Sequence, residues 1–346
     1  MLFRSPAVWR ERAAAEVPSR VADNLYWLGR YAERAECTAR LLRSSLIRLN
    51  SESASSAVAL LEPFLQTLEA QDQLPVGRAA SMLTANTEAL EAELLTIILD
   101  DQRAGSLSSI VENLQRLGML VRDRTSNDFW RALSKLSDTI QQGAKASEFL
   151  IGDAIVLLNQ VLLELAALHG LAYENMTRAQ GWRFLDIGRR VERAIYFSSF
   201  LGRALKSSIA DTPSALEAVL EMADSTITYR SRYNLMPHIA AVFDLVMLDE
   251  MNPRSLLFQF RQLTKHMERL PAESAALPSG AQRILIEAVA RLRLTDPMEL
   301  SQGGTGVAET LAHLEQAMPK LSDALAINYF AHSAISRAGS SGGESS

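Results

Sequence analysis

Apolar residues recur at three- and four-residue spacing over long stretches of the chain, broken by short runs containing Pro, Gly, Asn or Asp. That period belongs to helices with one buried face, and convincing strand alternation is absent. The spacing predicts helices over 19–49, 54–70, 77–99, 105–122, 125–147, 149–169, 178–208, 212–225, 228–247, 253–270, 279–294 and 306–335. The fold expected is therefore all-α, a bundle of about 12 helices. Two starts have a visible cause. Asp211, Thr212 and Pro213, and again Asn252 and Pro253, offer a capping side chain followed by a residue that needs no donor in the first turn.

The first helix carries a narrow apolar stripe, Val21, Leu25, Leu28, Ala32, Ala35, Ala39 and Leu42, whose alanines suit close approach of a partner helix. The stripe returns 159 residues later as Phe184, Ile187, Val191, Ala194, Ser198 and Leu201. Around it, Leu28–Ala35 reads LGRYAERA and Ile187–Ala194 reads IGRRVERA. A second pair follows in the same order, LDDQRAGSL at Leu99–Leu107 and LDEMNPRSL at Leu248–Leu256. Two related helical halves, about 19–148 and 178–335, account for both pairs.

Composition narrows the function classes. The 346 residues are 48% hydrophobic and 22% charged, enough for a sizeable core and against global disorder. A net charge of −5 disfavours protein-wide affinity for nucleic acid or an anionic membrane. Cys37 is the single cysteine, so neither an intramolecular disulfide nor a Cys-rich zinc site is available. No signal-peptide core stands at the N-terminus, and the most apolar run, Phe149–Leu168, contains Asp153, Asn159, Gln160 and Glu164. A buried helix suits that run better than a membrane span, and a cytoplasmic protein is expected. Residues 1–18 read as an N-terminal extension or the stub of a linker, and the Gly/Ser-rich residues 338–346 as a disordered tail.

The candidate chemistry lies in duplicated charges. Arg30, Glu33 and Arg34 share one helix face, and Arg189, Glu192 and Arg193 repeat it. Arg30 lies about 200° from Leu28 on the helical wheel, opposite the apolar stripe. A solvated face is one reading. Tyr26 and Trp27 beside it suggest a covered one. If the two triads meet across a twofold, four arginines and two glutamates converge, either as a structural ion network or as a holder for a carboxylate or phosphate. Asp100 with Asp101, and Asp249 with Glu250, fall at helix C-termini, where they oppose the dipole and need compensating partners such as Arg232 or Arg254. Tyr229, Arg230, Tyr233 and Asn234 make the second copy the richer one.

Other constellations point elsewhere. Glu309 and His313 are four apart, but no Glu-x-x-His step exists in the chain, which argues against a di-iron bundle. Gly303, Gly304 and Gly306 lack the Lys-Ser/Thr of a P-loop and read as a turn. Cys37 sits beside Glu33 and Glu36, which disfavour a thiolate. His169, His238, His266 and His332 show no ligand spacing. No metal and no cofactor is expected.

SRVADNLYWLGRYAERAECTARLL (Ser19–Leu42), GWRFLDIGRRVERA (Gly181–Ala194) and LDEMNPRSL resemble the bacterial alpha-E domain family over roughly residues 19–335. The chain departs from it in its N-terminal extension and in the Gly-rich segment 301–306. The resemblance implies an all-helical domain encoded beside, or fused to, a circularly permuted ATP-grasp protein, often with a transglutaminase-like cysteine protease. That context implies a peptide or amide ligation system. An accessory or binding subunit would use Tyr26, Arg30, Arg34, Arg189, Arg193, Arg232, Asp249 and Arg254. An enzyme of the same system would instead use Glu33 and Glu192 as acid and base. A ligand-free helical scaffold is the third possibility.

Overall fold

Two long parallel helices form the spine of the protein, as seen in a computed structural model that describes residues 17–51, 54–233, 236–271 and 277–330. The expectations for residues 1–16, for Asn234 and His332, and for the tail at 338–346 lie outside the described residues. The helices are α1 (Ser19–Ser51), α2 (Ala54–Ala70), α3 (Arg78–Leu83), α4 (Thr87–Leu99), α5 (Leu107–Leu120), α6 (Asn127–Ala144) and α7 (Ile151–Asn175). There follow α8 (Gln180–Lys206), α9 (Pro213–Met222), α10 (Thr226–Arg232), α11 (Ile239–Phe243), α12 (Leu256–Met267), α13 (Gly280–Leu294) and α14 (Gly306–Leu325). No strand occurs among the described residues.

The sequence pattern finds these elements but joins some of them. The segment expected as one helix over 77–99 splits because Asn86 caps α4, its side chain accepting from Ala89 N at 2.9 Å. The segment at 228–247 splits after Arg232 and resumes at Ile239. Thr212 caps α9 with Pro213 in the first turn, as expected. Asn252 does not cap α12. Its amide is buried, donating to Ser225 Oγ and Leu245 O at 3.1 Å each, so Ser255 takes the capping role three residues later. The helix α7 runs six residues beyond its expected end at 169. It is the one described helix long and apolar enough to cross a membrane, and it packs on α1 and α6 as a core helix does.

The packing order recurs along the chain. In the first part α1 packs on α5 and α7, and α6 packs on both. In the second, α8 packs on α12 and α14, and α13 packs on both. Thus α7, expected at the seam between halves, completes the first set of four.

The turns recur as well. Leu68–Gln73 (LEAQDQ) ends α2 with Asp72 at φ 58° and Gln73 N donating to Leu68 O at 2.9 Å. Leu220–Ser225 (LEMADS) ends α9 with Asp224 at φ 49° and Ser225 N donating to Leu220 O at 2.8 Å. Both are left-handed helix terminations with the same six-to-one hydrogen bond. Ser106 and Ser255 likewise cap α5 and α12, accepting from Ser109 N and Phe258 N.

Candidate functional site

The helices α1 and α8 make the most extensive contact in the protein, running side by side in the same direction. Their closest approach is at two glycines. A Cβ on Gly29 would lie 2.0 Å from Leu185 O, and one on Gly188 would lie 2.0 Å from Tyr26 O. Each carbonyl stands three residues before the other glycine, so the contact is reciprocal. The alanine stripe of α1 is buried, as expected. The close approach is made elsewhere, on the glycine face that also carries the charges.

That approach brings the two triads together inside the protein rather than on a solvated face. Glu192 is fully buried and accepts from Arg30 Nε at 2.5 Å and Arg34 Nε at 2.6 Å. Glu33 is fully buried and accepts from Arg193 Nε at 2.5 Å and Nη2 at 2.8 Å, with Arg189 Nε 3.7 Å away. Burial alone would raise the Glu192 carboxyl, but Arg30 and Arg34 outweigh it and hold the group below the usual range. A carboxylate held in this way does not serve as a proton donor near neutral pH.

The two sides of the helix pair differ. On one side Tyr26, Trp27, Arg30 and Arg34 line an open cleft of about 620 Å³, closed opposite by Asp72, Gln73 and Gly105 and, from α14, by Ser322 and Asp323. Tyr26 is buried, with its hydroxyl 2.9 Å from Ser322 Oγ, and Arg30 Nη1 donates to the same oxygen at 3.1 Å. The Arg34 guanidinium lies over the Tyr31 ring, and its two terminal nitrogens bond no other described residue.

The other side is filled. Arg254 reaches Glu36 at 2.6 Å, and Glu36 also meets Arg40 at 3.1 Å, His169 at 3.4 Å and Arg193 at 3.5 Å. Beside them only about 30 Å³ remains, lined in part by Cys37, Arg193 and Arg254. Burial would raise the Glu36 carboxyl, but Arg254, His169 and Arg193 hold it well below the carboxylate range. Burial, followed by Glu33 and Glu36, pushes the Cys37 thiol well up. Burial and the nearby Arg189 lower the His169 pKa.

Glu33, Glu36 and His169 bring ligand atoms within 4.8 Å of one another, a spacing a metal ion would fit. Arg193 and Arg254 already compensate these carboxylates and Arg189 stands close by, so a divalent cation would meet like charge from three sides. The cluster is chemically an ion network.

The remaining expected site residues lie apart. Arg232 pairs with Asp249 at the turn before α12, and Asp249 Oδ1 accepts from Met251 N at 2.7 Å. Arg254, expected to compensate those acids, turns to Glu36 instead. Glu250 is bound by Arg261 and Arg293. Asp100 Oδ1 accepts from Gln102 N, an ordinary turn. Glu309 bonds Thr305 and His313 faces Glu287. Sequence reasoning gave no site role to Glu36, one turn from Glu33 on α1, or to His169, Asp72, Gln73 and Ser322, which reach the triads through long-range packing. The spacing of Glu36 from Glu33, and the matching LEAQDQ and LEMADS segments for Asp72 and Gln73, were the signals available.

Comparison with known proteins agrees with this geometry. The chain is 30% identical, over 322 residues, to an uncharacterized protein of Mycobacterium tuberculosis H37Rv and to another of Mycobacterium bovis. The match covers 88% of this chain but only 36% of each relative, so the chain spans about a third of their length. No solved structure matches. A family model described as a predicted alpha-helical domain with a conserved ER motif matches residues 17–330. Within that match Glu-Arg steps stand at Glu33–Arg34, Glu192–Arg193 and Glu268–Arg269, the first two where the spine helices exchange their ion pairs, and the chain belongs to the Alpha-E family.

Proposed function

We propose that this chain is an accessory, ligand-binding subunit of an ATP-grasp-dependent peptide or amide ligation system, working through the cleft beside Arg30 and Arg34. The observation that carries the reading is the division of labour within the ER network. The glutamates are buried and paired with arginines, while the outer edge of the Arg30–Arg34 side opens on about 620 Å³ of cleft. Such a site suits binding better than acid–base chemistry at Glu33 or Glu192. A ligand-free scaffold would have no use for arginine nitrogens left unpaired at a cleft wall.

The partner in this reading is a circularly permuted ATP-grasp protein, with a transglutaminase-like protease as a second member, both in the cytoplasm where ATP is supplied. The relatives carry this domain within much longer polypeptides, which accords with a module that works beside others. The test is amino-acid-dependent ATP hydrolysis by such an ATP-grasp protein, with and without this chain and with its Arg34→Gln variant. Arg30 still holds Glu192 in that variant, so the fold is kept. Turnover or product raised by the wild type and lost with Arg34→Gln supports the reading. An unchanged rate and product with either protein overturns it.

A further inference from the structure

The two sides of the α1–α8 pair share their helix order and their helix terminations but carry different side chains, and the filled side shows what the open side lacks. Matched through the repeated motifs, Arg193 corresponds to Arg34, Glu36 to Ile195, and Arg254 to Gly105. Matched through the left-handed helix terminations, Asp224 corresponds to Asp72. On the filled side the Glu36 carboxylate lies against Arg193 at 3.5 Å, and the Arg254 guanidinium reaches from Glu36 at 2.6 Å to Asp224 at 3.7 Å.

The open side keeps an arginine and an aspartate, Arg34 and Asp72, and lacks the charges around them: Ile195 stands for Glu36, Gly105 for Arg254, and Ser199 for Arg40, which also joins Glu36 to Asp224 on the filled side. Arg34 pairs with Glu192 through Nε and has free terminal nitrogens, whereas Arg193 binds Glu33 through Nε and Nη2 and meets a second carboxylate in Glu36, for which Ile195 stands on the open side. Asp72 has no ion-pair partner among the described residues where Asp224 has Arg40 and Arg254, because Gly105 brings no guanidinium. Independently, Gln73 Oε1 is buried in the cleft wall with no hydrogen-bond donor among the described residues.

We propose that the cleft binds a zwitterionic ligand, an amino acid or short peptide, with its carboxylate on Arg34 and its amine toward Asp72. The ligand supplies the two charges that Glu36 and Arg254 supply on the filled side. Arg34 can present two parallel N–H groups to a carboxylate, the geometry a guanidinium favours. Asp72 at the opposite wall, with the nearby acids Asp323 and Glu315, favours the cationic end. This inference deepens the reading of the cleft as the working face and rests on it.

The test uses the full chain alone, with no ATP-grasp protein, so that failure of the ligand chemistry is separable from failure of the partner assignment. Calorimetric titration compares L-alanyl-L-alanine with its C-terminal amide, its N-acetyl form and inorganic phosphate. The free dipeptide is expected to bind. Removing either terminal charge weakens binding roughly tenfold or more, the scale of one charge-assisted contact. Arg34→Gln should bind dipeptide and amide equally, and Asp72→Asn should bind dipeptide and N-acetyl form equally. Two results overturn the proposal: no saturable dipeptide binding, or phosphate and N-acetyl dipeptide binding as well as the free dipeptide. The second would make the cleft a plain anion site.

Discussion

Glu192 is a buried charge held by two neighbours, and its removal exposes what each contributes. Glu192→Gln leaves Arg30 and Arg34 cationic without their carboxylate. Breaking a buried pair from one side costs about 3–5 kcal/mol, because the orphaned charge remains. The expected outcome in urea unfolding is a loss of that order with an unchanged slope. A loss below about 1 kcal/mol would mean the pair behaves as a surface salt bridge. Cys37 offers a second check at the same scale. Burial and then the Glu33 and Glu36 carboxylates raise its thiol pKa, so little thiolate forms at pH 8. As the single cysteine it gives a clean signal. A thiol reagent should label this half-buried cysteine about tenfold or more slowly in the native chain than in urea, and equal rates would contradict the raised thiol pKa.

At the scale of elements, the α1–α8 crossing depends on two absent side chains. A Cβ at Gly29 or Gly188 would overlap a backbone carbonyl at 2.0 Å, and a carbonyl in a helix cannot swing aside as a flexible side chain can. Gly29→Ala should therefore push the helices apart and cost at least the roughly 1–3 kcal/mol of an overpacked core, lengthening the ion pairs of both glutamates. Gly170→Ala, where the new Cβ meets nothing within 4 Å, is the control and should be neutral or slightly stabilising through helix propensity. Equal thermal unfolding of the two variants would remove the close crossing from the account. The crossing also shows what sequence periodicity can and cannot supply. The apolar stripe of α1 was legible because burial follows the 3.6-residue period. Periodicity alone ranks the charged face as outward, and Tyr26 and Trp27 beside it pointed to a covered one. It is buried because each arginine finds its carboxylate on a helix 159 residues away, and pairing at that range leaves no local mark. The repeated GR-x-x-ER letters carried the hint, since two copies of one charge pattern can satisfy each other where a single copy cannot.

Across the whole molecule, two sets of helices pack in the same order around the spine, yet the two faces of the spine have diverged into an open cleft and a filled ion network. The filled side makes stability depend on pH in a direction fixed by its groups. Burial, then Arg189, lowers the His169 pKa, so the unfolded chain takes up a proton more readily than the folded one. Stability then falls as pH drops through about 6.5, the ordinary histidine value. Glu36, Glu192 and Asp186 also titrate below their usual range, each held as a carboxylate by cationic neighbours against the opposing effect of burial. Their contribution is complete above the unfolded carboxyl pKa of about 4 and is lost as pH falls below it. Both effects have one sign, so urea midpoints should decline in two stages between pH 8 and pH 3. His169→Gln isolates the first stage. The variant lacks the titrating ring but keeps a polar group near Glu36, and its midpoint should stay level from pH 8 to pH 5 while the second stage remains. A wild-type midpoint that is level over the same range, or a first stage that persists in His169→Gln, would assign the filled side a purely steric part in closing that face of the spine.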